Sequence, residues 1–102
     1  MEIEVVMDVT DTVLNEVKLE RKRQLTLWGN LADNENTRND WAAYICRYAS
    51  DGAYNGKNCL FSEIHFRECL IKAAAICAAA IEAIDRLGKL PETEMQKFLG
   101  KG

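Results

Sequence analysis

The chain has 102 residues, of which 48% are hydrophobic and 28% charged, a balance typical of one globular domain with one core and not of wholesale disorder. Its formal net charge of −3 provides no general attraction to nucleic acid or to an anionic membrane. We therefore expect a single domain over residues 1–102, with neither nucleic acid nor membrane as a partner.

The first residues and the longest apolar run indicate the cellular compartment of the protein. Residues 1–4 lack the basic and apolar pattern of a signal peptide, and the longest apolar run, residues 73–81, is too short to span a bilayer. Both features favour the cytoplasm. The four cysteines form no Cys-x-x-Cys pair, so their spacing favours neither a zinc site nor, in that compartment, a disulfide framework.

The first predicted helix begins near Thr10 or Asp11, either of which can cap the amides of an opening turn, and ends at Gly29. Residues 1–8 alternate only loosely, and between a short strand and an extra helical turn we favour the helical turn. Residues 30–39 are rich in Asn and Asp, a composition typical of a turn.

The second helix is predicted over residues 40–49, with several aromatic side chains on one face. Gly52 and Gly56 then indicate a loop. The aromatic residues of this helix and of the end of the first are interpreted mostly as core, although one of them could stack on a nucleotide base. They are Trp28, Trp41, Tyr44 and Tyr48.

Ser62 opens the longest predicted helix, and Gly88 closes it. Between residues 73 and 81 this helix is apolar on every face, and such a helix must be buried on every face. A chain of this length has few helices to surround it, so a second copy of the chain is the simplest source of the missing contacts. The predicted fold is all-α, a bundle of about four helices completed by oligomerisation. Its short last helix is predicted over residues 92–99, with Pro91 at the first position.

An acidic pair lies near the end of the long helix. Glu82 and Asp85 are three residues apart and therefore share one face, where two carboxylates need a cation between them. That cation could be Mg²⁺, which prefers oxygen ligands, or an arginine of the same or another helix. Spacing alone favours the arginine, that is, an acidic helix end held by a salt bridge.

A second acidic pair, Glu16 and Glu20, lies four residues apart on the first helix and is followed by basic residues. It is either a solvated face of ion pairs or a second pair of metal ligands that faces the first. Lysine binds phosphate as a point charge and arginine binds it with paired hydrogen bonds, although such side chains also merely extend to solvent. The candidate phosphate ligands are Lys72, Arg47 and Arg23.

Two stretches of the chain resemble a known family. Residues 20–24, Glu-Arg-Lys-Arg-Gln, followed by Trp28-Gly29, resemble the opening of small phage-encoded MazG-like proteins. Residues 66–86, which carry a Lys-Ala-Ala-Ala run and end in Ile-Glu-Ala-Ile-Asp-Arg, are similar to the C-terminal helix of that group. The likeness covers roughly residues 12–87.

The resemblance implies an all-α nucleoside triphosphate pyrophosphohydrolase that assembles as a dimer or tetramer in a bacterial host cell. It implies that helix carboxylates bind Mg²⁺ and that a nucleotide is cut between its α- and β-phosphates, giving a monophosphate and pyrophosphate. The ion would offset developing charge and help to activate water. Glu82 and Asp85 match the family's Glu-x-x-Asp pair, and the further candidate metal ligands are Glu20, Glu16 and Asp51.

The chain departs from the family in its central acidic cluster. In the corresponding stretch, residues 47–51, Asp51 remains acidic and Arg47 stands in the place of a ligand, so this helix could bind phosphate without hydrolysing it. From the resemblance as a whole, the prediction is a Mg²⁺-dependent nucleotide pyrophosphohydrolase. The alternatives are a catalytically silent relative that binds a nucleotide or a host protein, for example to block a host defence factor, and a purely structural helical oligomer.

Overall fold

The computed structural model describes residues 2–54 and 62–100. These ranges contain four helical elements, which are α1 (Glu2–Glu35), α2 (Arg38–Tyr54), α3 (Glu63–Leu87) and α4 (Glu94–Gly100). The described residues form no strand, so the all-α prediction is confirmed. None of the helices in these ranges is long and apolar enough to cross a membrane.

The start of α1 lies earlier than predicted. The helix is already formed at Glu2, so the starts proposed at Thr10 and Asp11 are wrong, and the preference for helix before them is confirmed for residues 2–8. Every described side chain from residue 8 to residue 15 is exposed. None of these side chains is buried within the described chain, so tertiary burial contributes little to the helical state of this part of α1.

Gly29 divides α1 into two helical segments. Its φ of 72° and ψ of 172° lie in a region that glycine alone adopts without strain. The predicted end at Gly29 is thus a kink, after which the helix resumes as far as Glu35. The turn predicted over residues 30–39 is wrong for most of its length, because two residues separate α1 from α2.

The connection between α1 and α2 is short because Thr37 and Asp40 cap the new helix. The Thr37 amide donates to Asp40 Oδ2 at 2.9 Å, and the Asp40 amide donates to Thr37 Oγ1 at 3.3 Å. This reciprocal arrangement satisfies amides that an opening helical turn leaves unpaired. The polar residues of this stretch therefore act as helix caps and helix surface instead of an extended turn.

The end of α2 lies later than predicted. The helix runs through Gly52 to Tyr54, so the end at residue 49 and the loop at Gly52 are wrong. A Cβ atom on Gly52 would lie 2.7 Å from Cβ of Cys69 and 2.9 Å from Phe66 Cδ1. Gly52 is therefore the point at which α2 approaches α3 closely. Gly56, the second glycine of the predicted loop, lies outside the described residues.

The predicted limits of α3 are confirmed at both ends. Ser62 Oγ accepts a hydrogen bond from the His65 amide at 3.4 Å. At the other end the Gly88 amide, with φ of 75°, donates to the carbonyl of Ile84 at 2.8 Å. Both are standard terminal contacts of helices.

The core lies between α2 and α3. Trp41 packs there against Ile76, Ala79 and Ala83, and the small alanines permit the close approach. The opposite face of α3 is not covered, since Ile81 remains 59% exposed. Burial on every face is thus not reached within one chain, and oligomerisation stays a prediction.

The last helix begins two residues later than predicted. α4 starts at Glu94, because Thr93 and Gln96 cap it reciprocally: the Thr93 amide donates to Gln96 Oε1 at 2.9 Å and the Gln96 amide donates to Thr93 Oγ1 at 3.1 Å. Pro91 therefore precedes the helix and is not its first residue.

Candidate functional site

A cavity of about 330 Å³ opens between α1, α2 and α3, within the size range of small-molecule sites. We call it the aromatic pocket. Four aromatic side chains and two arginines line it, with Asp33 and Asn36 beside them and Ile76 and Ala79 contributed by α3. The aromatic residues are Trp28, Trp41, Tyr44 and Tyr48, and the arginines are Arg21 and Arg47.

Two stripes of side chains at helical spacing build the aromatic pocket. Trp41, Tyr44 and Tyr48 occupy positions i, i+3 and i+7 of α2, and such positions share one face of a helix. Arg21, Gln24 and Trp28 repeat that spacing on α1. Both stripes line the same cavity, so an aromatic face of α2 lies together with a mixed polar and aromatic face of α1.

The four aromatic residues differ in burial. Trp41 is 5% exposed and belongs to the core, and Tyr48 packs partly buried against it, so the core prediction is confirmed for these two. It is wrong for Trp28 and Tyr44, which are 54% and 42% exposed. The pocket therefore combines a fixed aromatic side with side chains that are free to meet a ligand.

Trp41 also carries an unsatisfied polar group. Its indole Nε1–H is buried and has no hydrogen-bond partner among the described residues. Buried N–H groups are nearly always paired, and one that is not calls for an explanation.

Arg21 is the main polar link of this region. Its side chain is 9% exposed, its Nε donates to Glu82 Oε2 at 3.0 Å, and its NH2 donates to Asp33 Oδ2 at 3.2 Å. Asp33 lies beyond the Gly29 kink and Glu82 lies on α3. One guanidinium therefore ties the segment after the kink to the long helix, at the edge of the aromatic pocket.

The cation beside Glu82 is thus an arginine from another helix. This arrangement corresponds to the salt-bridged interpretation of the acidic pair. The neighbouring Arg86 donates to Asn34 Oδ1 at 2.9 and 2.6 Å, which adds a second link between α3 and the segment after Gly29.

Glu20 and Glu16 are paired with arginines as well. Glu20 accepts two hydrogen bonds from Arg23, at 2.8 and 2.7 Å, and one from Gln24 at 3.0 Å. The hydrogen bond from Arg23 holds the pKa of Glu20 below its ordinary value, against the opposing effect of burial. Glu16 is hydrogen-bonded to Arg67, which likewise lowers the pKa of the Glu16 carboxyl.

The predicted metal ligands do not converge within one chain. Glu82, Glu20 and Glu16 are each bound to a different arginine, and Asp51 lies 3.9 Å from Arg47. Asp85 is exposed on α3. Over residues 2–54 and 62–100, no three Asp, Glu, His or Cys side chains are placed to hold a metal ion together. The described donors of a single chain therefore do not fit Mg²⁺, and the magnesium site stays a prediction.

The three predicted phosphate ligands lie in different places. Arg47 lines the aromatic pocket. Lys72 lines a second, shallower groove of about 210 Å³ together with Glu16, Glu20 and Arg67. Arg23 is held by Glu20 on the exposed side of α1. The structure thus places one of the three cations among the aromatic side chains.

Several residues of the pocket were not predicted as functional. Arg21, Asp33 and Asn36 all line it, and Gln24, which is 4% exposed, donates to the carbonyl of Lys72 at 3.4 Å. The shared spacing of Arg21, Gln24 and Trp28 on α1 was a signal available in the sequence. For Asp33 and Asn36 the sequence offered no comparable signal, since their position depends on the kink at Gly29.

Comparisons of this chain with protein-family models, with curated proteins and with solved structures found no significant match.

Proposed function

We propose that this chain is a nucleotide-binding domain that holds the base among the aromatic side chains of the pocket and the phosphate near Arg47. The observation that carries the proposal is the meeting of four aromatic rings and two guanidinium groups in one cavity of about 330 Å³. Aromatic side chains that stack on a base contribute about 1–3 kcal/mol per base, and arginine binds phosphate oxygens with paired, charge-assisted hydrogen bonds.

The two arginines are suited to different tasks. Arg21 is buried and already bound to two carboxylates, so its charge is compensated within the protein. The Arg47 side chain is 77% exposed and lies 3.9 Å from Asp51, a distance and exposure at which ion pairs contribute little. Arg47 can therefore turn toward a phosphate at small cost, and we assign the phosphate to it.

Titration calorimetry with nucleoside monophosphates and triphosphates tests the proposal. We expect binding by the wild-type chain and a loss of affinity on the order of tenfold in Arg47→Gln, because a charge-assisted hydrogen bond contributes about 1.5–3 kcal/mol when buried and less at an exposed site. Arg38→Gln removes an exposed arginine of the same helix that does not line the pocket and serves as the matched control.

The salt dependence of binding adds a second criterion. If Arg47 binds phosphate, the affinity falls as ionic strength rises, and this fall is weaker in Arg47→Gln than in Arg38→Gln. No heat of binding and no rise in melting temperature with any nucleotide would contradict the proposal.

The resemblance to MazG-like proteins supports a second proposal, Mg²⁺-dependent pyrophosphohydrolysis of a nucleoside triphosphate. The observation that favours it is that Asp33 and Glu82 lie on either side of Arg21 beside the pocket, so that a metal ion that displaced this guanidinium would meet two carboxylates. A further carboxylate from a second copy of the chain is required for a metal site. Pyrophosphate release with magnesium, and its loss in Glu82→Gln, tests this activity; no release from any nucleotide rejects it.

We further propose that the chain forms a homo-oligomer in the cytoplasm. Its radius of gyration of 16.6 Å exceeds the value of about 13 Å typical of a globular chain of this length. Apolar side chains of α1 and α3 are also exposed, Val9 and Ile81 among them. Light scattering tests the oligomer, and a strictly monomeric species would reject it.

A further inference from the structure

We infer that Trp41 is a specificity-determining residue of the aromatic pocket, whose indole N–H donates a hydrogen bond to a carbonyl oxygen on the ring of the bound ligand. The inference rests on the proposed nucleotide-binding function and adds the chemical class of the base. It selects bases that carry a ring carbonyl over those that carry an amino group in its place.

The first observation is the unsatisfied N–H itself. Trp41 lines the pocket, it is 5% exposed, and its Nε1–H has no acceptor among the described residues. A buried donor without a partner destabilises the protein that contains it. A ligand that supplies the missing acceptor removes this penalty, and it therefore gains affinity over a ligand of the same shape that does not.

The second observation concerns access to this N–H, which is shielded from solvent in the unliganded chain. Trp28 and Tyr44 line the same pocket and are largely exposed. Exposed side chains change rotamer within nanoseconds, so the pocket can widen around an entering ring, and the inference requires that this movement uncovers Nε1 of Trp41. Trp41 itself is fixed by its packing against Ile76 and Ala79, and its position determines where the acceptor must lie.

The third step decides which acceptor is suitable. A phosphate is also an acceptor, but taking its charge into an aromatic environment is costly, and the exposed Arg47 offers it a better partner. A neutral carbonyl on the edge of a planar ring suffers a much smaller loss of hydration. The smaller cost of desolvation therefore favours the base, and not the phosphate, as the group that Trp41 contacts.

Two nucleotides that differ along one edge of the base provide the test. Inosine 5′-monophosphate carries a carbonyl beside a protonated ring nitrogen where adenosine 5′-monophosphate carries an amino group beside an unprotonated one, and the rest of the molecule is the same. We expect the wild-type chain to bind the inosine nucleotide more tightly, on the order of tenfold. The chain has two tryptophans, so ¹⁵N-edited spectra show two indole N–H signals, and the one from Trp41 is expected to move downfield as the hydrogen bond forms.

An isosteric replacement separates the hydrogen bond from the packing. Trp41→3-benzothienylalanine exchanges the N–H for sulfur and keeps the shape of the ring system. We expect it to lower the affinity for inosine 5′-monophosphate on the order of tenfold, to abolish the preference over the adenosine nucleotide, and to leave the melting temperature of the unliganded chain equal or higher. If Trp41 had a purely structural role, the variant would change the affinities for both nucleotides alike and would leave the preference between them unchanged. Tyr54→Phe, which removes one hydroxyl from an exposed residue of α2 outside the pocket, is the control.

Three results would overturn the inference. They are equal affinities of the wild-type chain for the two nucleotides, a Trp41 indole signal that stays in place while the inosine nucleotide binds, and unchanged affinity in the benzothienyl variant. If neither nucleotide binds and triphosphates fail as well, the proposed function itself is rejected, and the inference falls with it.

Discussion

Arg21 offers the sharpest test of how the pocket is held together. Replacing it by methionine keeps a long side chain but removes both hydrogen bonds, to Glu82 at 3.0 Å and to Asp33 at 3.2 Å. Hydrogen bonds to charged groups contribute about 1.5–3 kcal/mol each. The Glu82 side chain is half exposed and recovers water, whereas Asp33 is 13% exposed and retains an uncompensated charge.

We therefore expect Arg21→Met to lower the free energy of unfolding by about 3 kcal/mol, most of it from Asp33, as is typical when one partner of a buried ion pair is removed. For a chain of this size that loss lowers the melting temperature by on the order of 10–20 °C. Urea unfolding measures the free energy, and hydrogen exchange over residues 30–36 shows whether the segment after the kink opens first.

Two further variants make the interpretation of Arg21→Met specific. Arg86→Met removes the exposed link to Asn34 and is expected to cost less than about 1 kcal/mol, although it touches the same segment. Adding Asp33→Leu to Arg21→Met removes the stranded charge and is expected to restore part of the stability, since apolar pairs often replace buried ion pairs without loss. A loss below about 0.5 kcal/mol in Arg21→Met would refute the reasoning.

Three other changes test the backbone and the charges. Gly52→Ala places a Cβ 2.7 Å from Cβ of Cys69, which is not the flexible end of a side chain, so the upper half of the usual overpacking cost applies, about 2–3 kcal/mol. The helical preference of alanine returns about 1 kcal/mol, and urea unfolding is expected to show a net loss of about 1–2 kcal/mol. Gly29→Ala forces φ of 72° and ψ of 172° on a residue with a side chain, and we expect a loss of about 1–3 kcal/mol. The pKa of Glu20 is lowered mainly by Arg23, so Glu20 stabilises the fold above the ordinary glutamate pKa, and this stability is lost as the pH falls through the lower pKa of the folded state. Glu20→Gln is expected to flatten that acid-side decline by up to about 1 kcal/mol, measured as melting temperature against pH.

Matched controls separate these effects from the substitutions as such. Gly100→Ala adds the same methyl group to a helical glycine with nothing within 4 Å of it, and it is expected to be neutral or slightly stabilising. Gln24→Glu keeps a side chain of the same size next to Glu20 but replaces a donor by a second carboxylate, so it is expected to raise the pKa of Glu20, to lower the stability at neutral pH, and to flatten the decline at low pH. A Gly52→Ala variant as stable as the wild-type chain would contradict the close approach of α2 and α3.

The elements that could be predicted from the sequence are those whose ends depend on local chemistry. Ser62 and Gly88 are standard first and last residues of a helix, and both limits of α3 are where the sequence indicates them. The conformational break at Gly29 was predictable for the same reason, because it depends on glycine's access to positive φ. Whether the chain leaves the helix at that point or resumes it was not predictable, since either outcome satisfies the same local signal.

The errors in the fold come from residues that have two local uses. Gly52 was interpreted as loop, whereas it is helical and allows α2 to approach Cys69 of α3. Thr37 belongs to the stretch that was predicted to be a turn, but together with Asp40 it caps α2. Sequence alone does not distinguish these uses, because a short polar side chain caps a helix with the same atoms that it uses in a turn.

The candidate site shows the same division between local and distant information. Spacing placed Glu82 and Asp85 on one face and required a cation beside them, but it could not say that Arg21, 61 residues earlier in the chain, provides that cation for Glu82. The aromatic face of α2 was visible, while the cavity depends on the facing stripe of α1 and on a segment redirected at Gly29. The same spacing occurs on two helices, from Arg21 to Trp28 and from Trp41 to Tyr48. This repeat indicates two faces that can line one cavity, which neither stripe indicates alone. The α1 stripe is mostly polar and packs less closely against the aromatic stripe of α2 than an apolar stripe would, and a cavity between them is the expected result.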